Sequence, residues 1–377
     1  MPRGSDSRVK TLSYFSVKDV TAQAQPSPPP AAQPQRAPII HVRGYKPFSL
    51  DSYSTRVSEL PQRAILPSGS PVDFKIIGRV ACSSGGASRL YLVDVLGYQQ
   101  GLLKTPDLFP GREEECIARF RDEIEAMKKR LPHVPALIAY DNAHVGGTQG
   151  FLPPRFYIME MLDGQDLCQY LINRENEGAP PLEMAAIIRI LRTVLETLKN
   201  FSTTFGDDAI HRDLKPENIF IAMDSEEIYL IDFGVARIPK ADKPDERLTR
   251  SGLYGFIGTP LYAPPEAFFQ GSKNLTPSAD IFSLGLIAYR MATRRLPYDV
   301  DLQSMTGIQT LRNNFRAILE SIHNDRPSHF PAPLWPVFVK ATQFDPTQRY
   351  QTFQEFDQAL LECERDYIVA TDIERLE

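Results

Sequence analysis

The chain has 377 residues, 42% of them hydrophobic, enough to bury one large core or two smaller ones that meet at a cleft. Its net charge of -5 and pI near 5.8 give no broad basic field for nucleic acid or an anionic membrane. Four dispersed cysteines (Cys82, Cys116, Cys168, Cys363) form neither a zinc cluster nor a disulfide framework, and no apolar run reaches the roughly 18 residues of a membrane span. The start, "MPRGSDSRVK", lacks the apolar stretch of a signal peptide, so the expected setting is cytoplasmic.

Residues 1–71 differ in kind from the rest. "QPSPPPAAQPQRAP" (residues 25–38) is too rich in proline for a helix or a central strand. This segment reads as a disordered extension, either a simple spacer or a PxxP ligand for an SH3-like partner. From Phe74 onward, "FKIIGRVAC" and "SRLYLVDV" read as strands around the turn "SSGGA", and a third strand is expected near "GLLKTP". A helix follows in "EECIARFRDEIEAMKKRL", where Ile117, Phe120, Ile124, Met127 and Leu131 recur at helical spacing and mark one buried stripe. After "RFYIMEMLDG" the pattern turns mostly helical, beginning with "AAIIRILRTVLETLKNF". The expectation is an α+β chain with a strand-rich small lobe and a larger helical lobe, without internal repeats.

The densest chemistry lies in "IHRDLKPENIF" (residues 210–220). Phosphoryl transfer from a nucleotide needs a base near the attacking hydroxyl, a cation beside the phosphate and oxygen ligands for metal ions. Asp213 can accept the hydroxyl proton, Lys215 can sit beside the transferring group, and Asn218 can offer a carbonyl oxygen to magnesium.

At this point the sequence resembles the protein kinase family, whose catalytic loop reads H-R-D-L-x-x-x-N, matched here by residues 211–218. Further motifs follow in order. "IDFGVA" resembles the metal-binding D-F-G, which implies Asp232 as a magnesium ligand beside Asn218. "GTPLYAPPEA" resembles the end of the activation segment, with Pro264 replacing the alanine of A-P-E. The resemblance implies that Glu266 pairs with Arg349 of "DPTQRY" and that Asp280 of "SADIFSLGLIAYRM" bonds the catalytic-loop backbone.

In the small lobe, Lys104 matches the lysine of V-A-I-K, and Glu123 is assigned its ion pair over Glu115 and Asp122 because it lies beside the buried stripe. The glycine-rich loop departs from G-x-G-x-x-G-x-V. Its best fit, Ser83, Gly85 and Ser88 with Gly86 adjacent, resembles a GGxS variant of bacterial Ser/Thr kinases. Met159, with Glu160, Met161 and Leu162 behind it, looks like the hinge that presents backbone groups to adenine.

The resemblance covers about residues 72–365, divided into a small lobe (about 72–158) and a large lobe (about 163–365), with a short tail over 366–377. It implies a bilobal protein kinase-like fold, ATP and Mg2+, and protein substrates carrying Ser or Thr. Lys215 and Thr259 favour Ser/Thr over Tyr. The resemblance also implies a switch in which phosphate on Ser251 or Thr249 pairs with Arg212. Two other readings stand beside this one. A pseudokinase scaffold would explain the irregular loop, and a small-molecule phosphotransferase would keep the acid, amide and metal ligand but has no use for an activation segment.

Overall fold

The computed structural model describes residues 39–40, 62–80, 89–106, 113–141, 155–234, 236–238, 259–269, 275–298 and 305–374. Its elements run β1 (Ile39–Ile40), β2 (Arg63–Ile65), β3 (Pro71–Val80), β4 (Arg89–Val95), β5 (Gln100–Thr105), α1 (Glu113–Lys128), β6 (Leu137–Tyr140) and β7 (Tyr157–Glu160). The large lobe continues with β8 (Gly164–Asp166), α2 (Leu167–Asn176), α3 (Met184–Phe205), β9 (Ile219–Ala222) and β10 (Ile228–Leu230). It closes with α4 (Pro265–Phe269), α5 (Pro277–Thr293), α6 (Met305–Asn324), α7 (Trp335–Ala341) and α8 (Phe353–Glu374). Among the described residues no helix is long and apolar enough to cross a membrane.

The expected meander is present as β3, β4 and β5, paired antiparallel in sequence order. Strand alternation then distributes side chains between two cores. Tyr91, Val93 and Val95 of β4 join Leu103 of β5 and Ile158 of β7 in one cluster, while Leu90, Leu92 and Leu102 face the other way. Lys104 shares the parity of Leu102, so the pleat sends it to that second face. On α1, Phe120, Ile124 and Met127 pack against Leu137 and Tyr157, as the stripe requires, while Glu125 is exposed.

Two boundaries differ from the sequence reading. Residues 63–65, assigned to the disordered extension, form β2, which pairs with β3 and, through Ile65 and Tyr140, with β6. The pairings β3–β2–β6–β7–β5–β4–β3 close the sheet on itself, and Ala64 and Leu66 are buried inside it. A short apolar run gains this burial only through distant partners, which local composition does not reveal. The two-residue β1 lies parallel to β3 with Ile39 opposite Arg79. At the other end, residues 366–374 are the continuation of α8 rather than a tail, since residues 353–374 contain neither proline nor glycine to stop the helix.

The large lobe is built around α5, which buries thirteen of its residues, including Asp280, Phe282 and Leu286. Gly285 lets α7 approach: a Cβ there would lie 2.6 Å from Thr342 Cγ2 and 3.3 Å from Ala341 Cβ. Helix α3 buries ten residues along one stripe against the same core. Arg349, with a fully buried side chain, donates from both terminal nitrogens to the two Glu266 oxygens at 2.8 Å and stands over the Phe282 ring at 4.7 Å. Removing one member strands a buried charge.

Glu266→Gln or Arg349→Met is therefore expected to destabilise the chain by about 3–5 kcal/mol, read as a lower midpoint in urea unfolding. A chain beginning at Leu66, which lacks β2, is expected to melt below one beginning near residue 56. Equal Tm values would show that ring closure adds no stability.

Candidate active site

The loop 211–218 is held from beneath by α5. Asp280, buried near the helix N-terminus, accepts from the backbone N–H of His211 at 2.7 Å and of Arg212 at 2.9 Å. Arg212 and Asp232 both have left-handed backbones, with φ of 69° and 70°, a strain that such anchoring sustains. The His211 ring is fully buried and lies edge-on to Phe233, 5.1 Å between centroids. Neither ring nitrogen has a hydrogen-bond partner among the described residues.

Three polar side chains meet above this floor. Asp213 accepts from Lys215 Nζ at 2.9 Å through one oxygen and from the Thr259 backbone N–H at 2.7 Å through the other. Lys215 Nζ also donates to Thr259 Oγ1 at 3.0 Å. Burial works against the lysine's charge, but Asp213, Asp232 and Glu217 together raise the pKa, so Lys215 stays an ammonium. Asn218 ends a short turn begun by Pro216 and donates its amide nitrogen to Asp213 O at 2.8 Å, which leaves its carbonyl oxygen for another partner.

The second cluster joins the lobes. Lys104 Nζ lies 2.6 Å from Glu123 Oε1 on α1 and 3.0 Å from Asp232 Oδ1, which follows β10. Burial opposes the ammonium, yet Asp232 and Glu123 together hold the Lys104 pKa well above its ordinary value. Glu123 is buried enough to be pushed up to about 7 despite Lys104. Asp232 goes the other way: burial raises it, but Lys104, Lys215 and the Gly234 N–H hold its carboxyl well below the usual range. Its side chain is 43% exposed, so a carboxylate oxygen reaches the cleft.

The structure thus brings Lys104, Glu123 and Asp232 together, and Asp213, Lys215 and Asn218 together, from strands, helix and loops far apart in sequence. Met159 and Glu160 lie on β7 opposite Leu102 and Gly101, and Met159 and Met161 pack beside the apolar wall of Val80, Leu90, Leu92 and Leu102. Leu162 is buried. Ser83, Gly85, Gly86 and Ser88, and likewise Thr249 and Ser251, lie outside the described residues. One contact was missed from sequence: Tyr157 on β7 donates its hydroxyl to Glu123 Oε1 at 3.0 Å. The pairing of β7 with β5, which places Tyr157 opposite Lys104, was the signal that could have found it.

His211 gives a pH prediction. Burial lowers its pKa below the ordinary 6.5, although Asp280 and Asp213 pull upward. On the acid side of about 6.5 the unfolded chain then binds more protons at this residue than the folded one. Its contribution to stability is complete above that pH and is lost as pH falls through the lowered folded value. As pH falls below about 6.5, the wild type is expected to lose Tm relative to His211→Leu, a difference in which the opposite contribution of the raised Glu123 carboxyl cancels. An unchanged difference would assign the acid sensitivity to other groups.

A family model described as the protein kinase domain matches residues 109–361. The match begins beyond Lys104, so the strand half of the site stands on its geometry. The serine/threonine-protein kinase PknL of Mycobacterium bovis is 31% identical over 241 residues, covering 64% of this chain and 54% of its own length. The serine/threonine-protein kinase pkn3 of Myxococcus xanthus is 35% identical over 204 residues, 52% of this chain and 33% of its own. PkaA of Streptomyces coelicolor, also named a serine/threonine-protein kinase, is 31% identical over 194 residues, 51% of this chain and 31% of its own. The chain therefore spans about a third to a half of the length of these relatives. On a match over most of its length, the chain belongs to the protein kinase domain family and is similar to bacterial serine/threonine kinases of the Hanks type.

Proposed function

We propose that this chain is a serine/threonine protein kinase that transfers the γ-phosphoryl group of ATP to hydroxyl groups of protein substrates. The observation that carries the reading is the meeting of Asp213, Lys215 and Thr259 beside the Lys104–Asp232 cluster, with a proton acceptor, two ammonium groups and a half-exposed carboxylate facing one cleft. In this reading Asp213 takes the proton as the acceptor hydroxyl attacks phosphorus and the bond to the β-phosphate oxygen breaks. Lys215 stabilises charge on the moving group, Lys104 holds the remaining phosphates, and Glu123 keeps Lys104 in place. The hinge residues Met159, Glu160, Met161 and Leu162, with Gly85, Gly86, Ser83 and Ser88, are the proposed nucleotide contacts.

Asp232 and Asn218 are the proposed magnesium ligands, and their donors fit: a carboxylate oxygen reaching the cleft, and a carboxamide whose nitrogen is already engaged at Asp213. Two hard protein oxygens suit a cation that takes its other ligands from phosphates and water. The bound ion would neutralise charge on the phosphates. Free thiols at Cys116, Cys168 and Cys363, together with the need for ATP, suit a reducing cytoplasmic setting.

Incubation with Mg-ATP and a basic acceptor protein, followed by phosphosite mass spectrometry, is expected to find phosphate on Ser and Thr. Asp213→Asn and Asp232→Asn are each expected to lower turnover at least about a hundredfold while the chain stays folded, with some loss of Tm where the charge paired with a lysine is removed. Near wild-type turnover in either variant would remove that residue from its role, and a wild type that binds nucleotide without transfer would make the chain a scaffold.

A further inference from the structure

We infer that Tyr157 is a positioning residue for nucleotide binding, its hydroxyl fixing the Glu123 carboxylate that aims Lys104. The inference rests on the kinase reading of this site and adds a residue to it. Tyr157 stands on β7 directly opposite Lys104 on β5. Its hydroxyl donates to Glu123 Oε1 at 3.0 Å, the same oxygen that receives Lys104 Nζ at 2.6 Å. Its ring stacks on Phe120, 5.3 Å between centroids at 29°. Phe120 and Glu123 are one turn apart on the same face of α1, so a single side chain grips the helix at two points.

The chemistry explains why a hydroxyl is useful here. Tyr157 is 2% exposed, and a buried phenol needs an acceptor. Burial and the Glu123 charge raise its pKa well above the ordinary value, so it keeps its proton and remains a donor. Lys104 divides its donors between Glu123 and Asp232 and must also serve phosphate oxygens. When the ammonium turns toward phosphate, Tyr157 still holds Glu123, and Glu123 still defines where Lys104 returns. Asp232 faces the same group from the large lobe but carries like charge, so it cannot take over this task.

Phenylalanine at 157 keeps the ring and its stacking on Phe120 and removes only the donor, which separates positioning from packing. The test is a double-mutant cycle of Tyr157→Phe with Glu123→Ala, read as the Kd for a non-hydrolysable ATP analogue with magnesium, and as KM for ATP and kcat. Tyr157→Phe is expected to weaken nucleotide binding about tenfold, the low end for a hydrogen bond to a charged group, with KM rising accordingly. In the Glu123→Ala background the same change is expected to shift Kd less than about twofold, because the bond is already gone. An unchanged Kd in Tyr157→Phe would overturn the inference. So would an equal loss in both backgrounds, or a variant too unstable to fold, since either makes the tyrosine a packing residue. Tyr157→Leu, which also loses the stack, is expected to lower Tm more than Tyr157→Phe. A wild type that binds the analogue but transfers no phosphate would overturn the kinase reading and leave the affinity cycle to decide the role of Tyr157. A wild type that binds no nucleotide would overturn both.

Discussion

A buried ammonium must be paired, and Lys104 is paired twice. One partner sits on the helix of the small lobe and the other on the large lobe, so a single charge ties three pieces of chain that the backbone connects only at long range. Because Lys104 and Glu123 are almost fully buried, the pair tolerates little misplacement. The sheet sets where the lysine emerges, the α1 stripe sets where the glutamate faces, and the left-handed backbone at Asp232 turns the third group toward both. Each of these local features makes sense only in the presence of the other two.

The large lobe uses the same economy of buried charge with a different purpose. Asp280 and the Glu266–Arg349 pair satisfy backbone and side-chain groups around α5 and have no exposed chemistry. Asp280 accepts two consecutive backbone N–H groups of the loop that carries Asp213, so a helix in the middle of the core determines where the proton acceptor stands. The stability of that helix and the placement of the chemistry are therefore one problem.

Much of this was legible because it is local or tightly spaced. The run 211–218 carries its acid, lysine and amide within eight residues, and the α1 stripe together with the family resemblance picks Glu123 over its neighbours. The pairings of Glu266 with Arg349 and of Asp280 with the loop came from the family resemblance, and both are present in the geometry. Tyr157 was not legible, because its partner lies 34 residues away and meets it only after the β7–β5 pairing is known. Residues 62–71 were misread for a related reason: they were grouped with the proline-rich stretch that precedes them, while the burial of Ala64 and Leu66 depends on strands far along the chain. Leu102 was readable but overlooked. It stands where V-A-I-K has alanine, and its larger side chain thickens the apolar wall beside the hinge.

The closed ring of the small lobe also bears on how these molecules coexist at high concentration. A strand with an unpaired side is a template for a strand of another chain, and sheets with open edges need charges, bulges or covering segments to prevent it. Each of the six strands in this ring has a neighbour on both sides. The closure is narrow, since one residue pair, Ile65 with Tyr140, joins β2 to β6. Three residues with no part in the chemistry thus stand between the hydrogen-bonding groups of this sheet and the association of one copy with the next.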